Sequence, residues 1–132
     1  MRRAAPWLLL VTGILLILSA GAHALLGWPM VRTSLQEFRV EDGLVQGVGI
    51  GWLYGSAAML TFGALVLTAW WWTRTGRAVA ATVSALISLL YLGFGTWALL
   101  ESGFEPHFIG FVVIGLLLGL ASLGLRGLGH PS

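Results

Sequence analysis

The sequence predicts an all-α fold, a transmembrane antiparallel four-helix bundle, and three observations predict it. Of 132 residues, 58% are hydrophobic and 9% charged, whereas soluble domains carry about 25% charged residues. The apolar residues are pooled into four blocks, each long enough to supply the ~20 residues that cross ~30 Å of hydrocarbon. The charges fall between the blocks and at their ends. A bilayer forces each block to be helical, because an unpaired backbone amide in hydrocarbon costs several kcal/mol.

The first span runs from about Trp7 to Leu26, introduced by Pro6 and closed by Gly27-Trp28-Pro29. The second lies within Gly47 to Trp72, and the third runs from about Ala78 to Leu100. The fourth covers about His107 to Leu125, with Pro106 at its first turn, where a missing amide costs nothing. No span holds an internal charge or proline. The whole chain, 1–132, is a single integral membrane domain, since no polar stretch is long enough to build a second.

The connection between spans one and two is the longest. Trp28, Val31, Leu35 and Phe38 fall on one helical face, and Arg32, Gln36, Glu37 and Arg39 fall elsewhere around it. That periodicity, opened by Pro29, predicts a short amphipathic helix lying in the outer interface. An ordered polar loop with incidental apolar residues is the alternative. Glu41-Asp42-Gly43 reads as the turn into span two.

Arginine placement predicts the orientation. Arg2, Arg3, Arg74, Arg77 and Arg126 flank the ends that alternating spans put on one side. Arg32 and Arg39 fall on the other, beside Glu37, Glu41, Asp42, Glu101 and Glu105. Short arginine-bearing segments stay cytoplasmic, so both termini and the Arg74–Arg77 turn are inside. Trp7 and Trp70-Trp71-Trp72 form an inner aromatic belt, Trp28 and Trp97 an outer one. The N-terminus also has a second reading, as a cleaved signal peptide: Ala20-x-Ala22 and Ala22-x-Ala24 are cleavage boxes behind Arg2-Arg3 and an apolar run. Against cleavage, the run continues through Leu25 and Leu26 to a full span.

In lipid, helices associate by close van der Waals fit, so small residues at four-residue spacing mark contact faces. Gly47, Gly51 and Gly55 form such a ridge in span two, and Gly115 and Gly119 in span four. Ser84 and Ser88 stack on span three, while Ser19, His23 and Gly27 share a face of span one. The ridges serve helix packing first. They could equally form a contact with a second copy or a membrane-complex partner, and membrane lipid is the other implied partner.

Composition removes several classes of function. There is no cysteine, which excludes disulfides, thiolate metal sites, iron–sulfur clusters and cysteine nucleophiles. All seven basic residues are arginine, as in GC-rich bacterial genes, and they form no patch with interleaved aromatics, which argues against nucleic-acid binding. Phosphate-loop, serine-nucleophile and His-Glu-x-x-His motifs are missing.

The candidate site is a shallow outward pocket. His23 lies about 24 Å along the first helix from Trp7 at 1.5 Å per residue, inside the outer leaflet. Glu101, Glu105 and His107 lie at the outer ends of spans three and four, and Trp52, Tyr54 and Trp97 at similar depth. An ionisable residue within a span is a functional hypothesis by default. The plainer reading is that neutral His23 bonds a carbonyl, Tyr54 or Glu101 and locks two helices, and that Glu101, Glu105 and His107 are solvated. The catalytic candidates are His23, Glu101 and Tyr54; the cofactor-binding candidates are His23, His107 and Trp52. No established metal-ligand spacing is met, and no metal ligand is assigned.

Gly21-Ala22-His23-Ala24-Leu25-Leu26-Gly27, Gly51-Trp52-Leu53-Tyr54-Gly55 and Leu90-Tyr91-Leu92-Gly93-Phe94-Gly95 give the chain a resemblance. It is similar in layout to the small uncharacterised four-span bacterial membrane proteins of the DoxX-like group. That resemblance implies a four-helix membrane bundle and carries over no functional residue. The sequence thus predicts a multi-pass protein of the bacterial inner membrane, acting as an accessory or structural component. The alternative is an embedded enzyme or cofactor-binding protein with an outward site at His23. It would act on a quinone or isoprenoid, or bind haem or metal.

Overall fold

The computed structural model describes residues 4–75 and 79–126. Arg2, Arg3, Arg77, Ala78 and the tail with His130 lie outside the described residues. Helices α1 (Ala5–Ala22), α2 (Trp28–Glu37), α3 (Asp42–Arg74), α4 (Val79–Glu101) and α5 (Ile109–Arg126) make up the fold, with no strand among the described residues. It is an all-α helical bundle. Four helical segments are long and apolar enough to cross a membrane: Ala5–Glu37, Asp42–Arg74, Val79–Glu101 and Pro106–Arg126. The chain is a multi-pass membrane protein by length and composition.

Small side chains are frequent at the buried positions, alongside Leu9, Leu16, Val66 and Leu118. Buried positions include Ala5, Ala20, Ala69, Ala80, Ala98 and Ala121 together with Thr12, Ser84, Ser88 and Ser122. Trp7, Leu18, Leu25, Leu89, Trp97 and Leu123 are exposed. Water would oppose so large an apolar exterior. Lipid tolerates it, and helices held by close fit want small residues between them. Buried positions on α1 recur as Ala5, Leu9, Thr12, Leu16 and Ala20, in steps of three or four residues that keep them on one stripe of the helix.

Two compact units divide the chain: Ile14–Ala64, and Met1–Gly13 with Leu65–Ser132. In the second, α4 and α5 pack antiparallel. Ser122 Oγ donates to the Ala81 carbonyl at 2.9 Å, and Ser88 Oγ to the Gly115 carbonyl at 2.7 Å. A Cβ on Gly115 would stand 2.9 Å from the Leu92 amide nitrogen, and one on Gly95 3.0 Å from that of Val112. The backbones approach so closely only because these residues lack side chains. The Gly115–Gly119 ridge is therefore occupied within the chain, with Gly119 against Ser88. An aromatic group closes one end of this pair: Tyr91 and Phe94 stand 5.7 and 5.0 Å from Phe111.

The Ile14–Ala64 unit is a helical hairpin. The 28–37 segment is helical as its periodicity predicts, but it does not start a separate helix. It continues from α1 through a π-turn, His23–Gly27, so that Ala5–Glu37 is one 33-residue element. Gly27-Trp28-Pro29 does not close the span. Pro29 sits in the first turn of α2, and its ring would press on the carbonyl of a regular helix four residues back. A π-turn just before it widens the ladder at that point. Val31 and Leu35 are half-buried on the predicted apolar face, whereas Phe38 is exposed.

The hairpin reverses through residues 38–41. Arg39 N–H donates to the Gln36 carbonyl and Val40 N–H to that of Leu35, both at 3.0 Å, with Arg39 at φ 53°. This is the left-handed helix stop that usually takes glycine. A second stop ends α4: Gly103 N–H reaches Leu100 and Phe104 N–H reaches Leu99, with Gly103 and Phe104 both at φ 69°. Asp42 is already helical, so α3 begins five residues before the predicted Gly47 and the turn is shorter than Glu41-Asp42-Gly43 implied.

Candidate functional site

The hairpin holds the candidate site, and a single face of α3 builds it. Val45, Gly49 and Ser56 are buried and Trp52 half-buried, at spacings of four, three and four residues. They present one stripe to the other arm of the hairpin. Gly49 lies beneath Trp28: a Cβ there would meet the indole at 2.6 Å. Gly27 lies against Trp52 in the same way, at 2.9 Å. Each indole thus fills the space a missing side chain leaves on the opposite arm.

Trp52 grips the π-turn at its first residue. Its ring stacks on the His23 imidazole, centroids 4.1 Å apart and planes 11° from parallel. Its Nε1–H donates to the His23 carbonyl at 2.8 Å. The same carbonyl accepts the Trp28 N–H, the five-residue bond that defines a π-turn. A widened turn leaves a carbonyl accessible to a second donor, and the indole supplies it. Among the described residues, no protein group hydrogen-bonds either imidazole nitrogen. His23 Nε2 faces Gly55, 3.8 Å from where a Cβ would stand.

Of the sequence-predicted residues, His23 and Trp52 come together, through a stack and a main-chain bond. Tyr54 is 76% exposed, two residues beyond Trp52 and on another side of α3. Glu101 is the exposed last residue of α4. His107 and Glu105 are neighbours, Nδ1 to Oε2 at 4.0 Å, both largely exposed. His107 sits within a single 3-10 turn, Pro106–Phe108, and the Glu105 N–H donates to Ser102 Oγ at 3.2 Å. Among the described residues, no three His, Asp or Glu side chains gather as a metal-binding group.

The predicted contact ridge of α3 is only partly used. Gly55 faces His23, but a Cβ placed on Gly47 or Gly51 would meet nothing within 4 Å. The contact stripe instead runs two residues out of step, through 45, 49, 52 and 56. Glycine spacing by itself does not reveal the aromatic–glycine pairing of Trp28 with Gly49. A signal for it is nonetheless present in the sequence, where Val45, Gly49, Trp52 and Ser56 form a heptad-like row.

A cavity beside this stripe was not anticipated. It has a volume of about 530 Å³ and is lined by Trp28, Arg32, Gln36, Asp42, Gln46 and the apolar wall of Val45, Gly49, Ile50 and Leu53. No family model, curated protein or solved structure matches this chain.

Proposed function

We propose that this chain is an accessory component of a bacterial inner membrane, acting through helix contacts, with both termini cytoplasmic. The observation that carries the reading is the engagement of His23 by Trp52. His23, the one histidine well inside a span among the described residues, has its ring stacked and its carbonyl bonded, which is the work of a joint between helices. Arg74 and Arg126 at one set of helix ends, against Glu37, Glu41, Asp42, Glu101 and Glu105 at the other, support the orientation through the preference of arginine for the cytoplasmic side. The four-span layout that resembles the DoxX-like group is consistent with such a role.

The partner surface in this reading is the open side of α3 at Gly47 and Gly51, where close approach by another helix meets no side chain. The chain has no cysteine, so Gly51→Cys gives a single thiol. A thiol crosslinker applied to native membranes should join it to a second copy or to another membrane protein, while Leu123→Cys on the exposed face of α5 should not be joined. Equal crosslinking at both positions, or none at either, rejects the contact role.

A second reading is favoured by the imidazole nitrogens, which no protein group hydrogen-bonds among the described residues. His23 would then take a haem, a metal or a lipid-soluble quinone or isoprenoid. An absorption spectrum and metal analysis of the protein in mild detergent test it. A Soret band or stoichiometric metal that disappears in His23→Phe replaces the accessory reading.

A further inference from the structure

The cavity of the hairpin lies at a definite depth. Ala5–Glu37 and Asp42–Arg74 each have 33 residues, about 50 Å at 1.5 Å per residue. The hydrocarbon takes ~30 Å of that, so the hairpin rises well beyond it at one end. With Trp7 at one hydrocarbon boundary, Arg32 lies 25 residues further along, about 37 Å. That is some 7 Å past the far boundary, in the layer of lipid headgroups. Counting back from Trp71 along α3, Gln46 is also 25 residues away and reaches the same level.

From that level outward the cavity carries both signs of charge, with Asp42 about one helical turn beyond Gln46 on α3. Arg32 and Asp42 both line it, yet among the described residues neither is in an ion pair. Two opposite charges that share a cavity without closing on each other leave room for a ligand bearing the complementary pair. Gln36 and Gln46 add neutral donors and acceptors between them. Below, the wall becomes apolar through Ile50 and Leu53, with Val45 beside Gln46. Ile50 and Leu53 are 65% and 46% exposed, so the wall continues onto the surface that faces acyl chains. A volume of about 530 Å³ falls within the ~300–1,000 Å³ of small-molecule sites.

We propose that this cavity is a binding site for the headgroup of a zwitterionic phospholipid with a primary ammonium, that is, an ethanolamine phospholipid. The Arg32 guanidinium takes the phosphate, for which its planar fork of donors is suited. The Asp42 carboxylate accepts hydrogen bonds from the ammonium. The glutamine amides hold the ester oxygens, and the acyl chains descend along Ile50 and Leu53. Trp28, seated on Gly49, forms the rigid back wall. The site is independent of the accessory role and of which way the chain faces.

The test is native mass spectrometry of the full chain in mild detergent with equal amounts of phosphatidylethanolamine, phosphatidylcholine and phosphatidylglycerol. Phosphatidylethanolamine should be retained about tenfold over the other two, the ratio one charge-assisted hydrogen bond supplies. Phosphatidylcholine has no N–H for Asp42, and phosphatidylglycerol has no cation. Asp42→Asn should erase the preference while still retaining lipid. Arg32→Gln should weaken all three, with helix content by circular dichroism unchanged in both variants. Equal retention of the three lipids, or a preference untouched by Asp42→Asn, overturns the proposal. Glycerophosphoethanolamine should not compete at equal concentration. If it does, the ligand is a soluble phosphate ester, and the lipid assignment falls.

Discussion

The indole N–H of Trp52 donates to the main-chain carbonyl of His23 at 2.8 Å while the two rings stack 4.1 Å apart. One side chain on α3 thereby holds the π-turn that lets α1 run on into α2 past Pro29. Replacing Trp52 by Phe keeps a ring for the stack and removes the donor. The expected loss is about 1 kcal/mol, the size of an interhelical hydrogen bond in a membrane protein. Trp52→Ala, which also empties the space against Gly27, should cost more. Thermal unfolding in detergent, followed by circular dichroism, measures both; coincident melting of Trp52→Phe and the parent would remove the indole bond from the account.

The glycines fall into two classes that mutation should separate. Gly115→Ala would put a methyl 2.9 Å from the Leu92 amide nitrogen, so α4 must move, and overpacking of this kind costs about 1–3 kcal/mol. Gly51→Ala meets nothing within 4 Å and should stabilise the isolated chain by about 0.5–1 kcal/mol, the helix preference of alanine. The same melting experiment decides, and a Gly115→Ala protein as stable as the parent contradicts the α4–α5 packing.

Thr12 is fully buried, and among the described residues its hydroxyl has no hydrogen-bond partner. A buried unmade hydrogen bond costs about 1–3 kcal/mol. Thr12→Val keeps the branched shape and removes the polar atom. It should raise the melting temperature, and a lowered one would mean the hydroxyl is satisfied in the membrane.

Arg39 occupies a left-handed helix stop at φ 53°, a conformation that costs a side-chain-bearing residue about 1–2 kcal/mol. Arg39→Gly should therefore stabilise the hairpin. Phe104, at φ 69° after α4, predicts the same gain for Phe104→Gly. Hydrogen exchange of the residue 36–41 amides offers a local reading: slower exchange is expected in Arg39→Gly, and faster exchange would show that the arginine is held by something worth more than its strain.

Much of the architecture was legible in the residue order. Four spans, the limits of the third and fourth to within a residue, the helical 28–37 segment and the α4–α5 use of Gly115, Gly119 and Ser88 all follow from block length and small-residue spacing. Those signals are local. The start of α3 at Asp42 was not legible, because nothing in Glu41-Asp42-Gly43 distinguishes a turn from a charged first helical turn. Of the candidate site, His23 and Trp52 were singled out separately; that one stacks on the other was not.

What the residue order determined by itself is that this chain must make helices in lipid: each apolar block can satisfy its own backbone amides only by coiling. The tertiary structure alone decided which faces meet. A helix offers several stripes of small residues, and the hairpin chose 45-49-52-56 over 47-51-55 because two indoles from opposite arms needed glycines to lie on. Distance between arms, rather than spacing along one, sets that choice. The Arg32–Asp42 cavity exists for the same reason, since its residues come from two helices and become neighbours only when the hairpin closes.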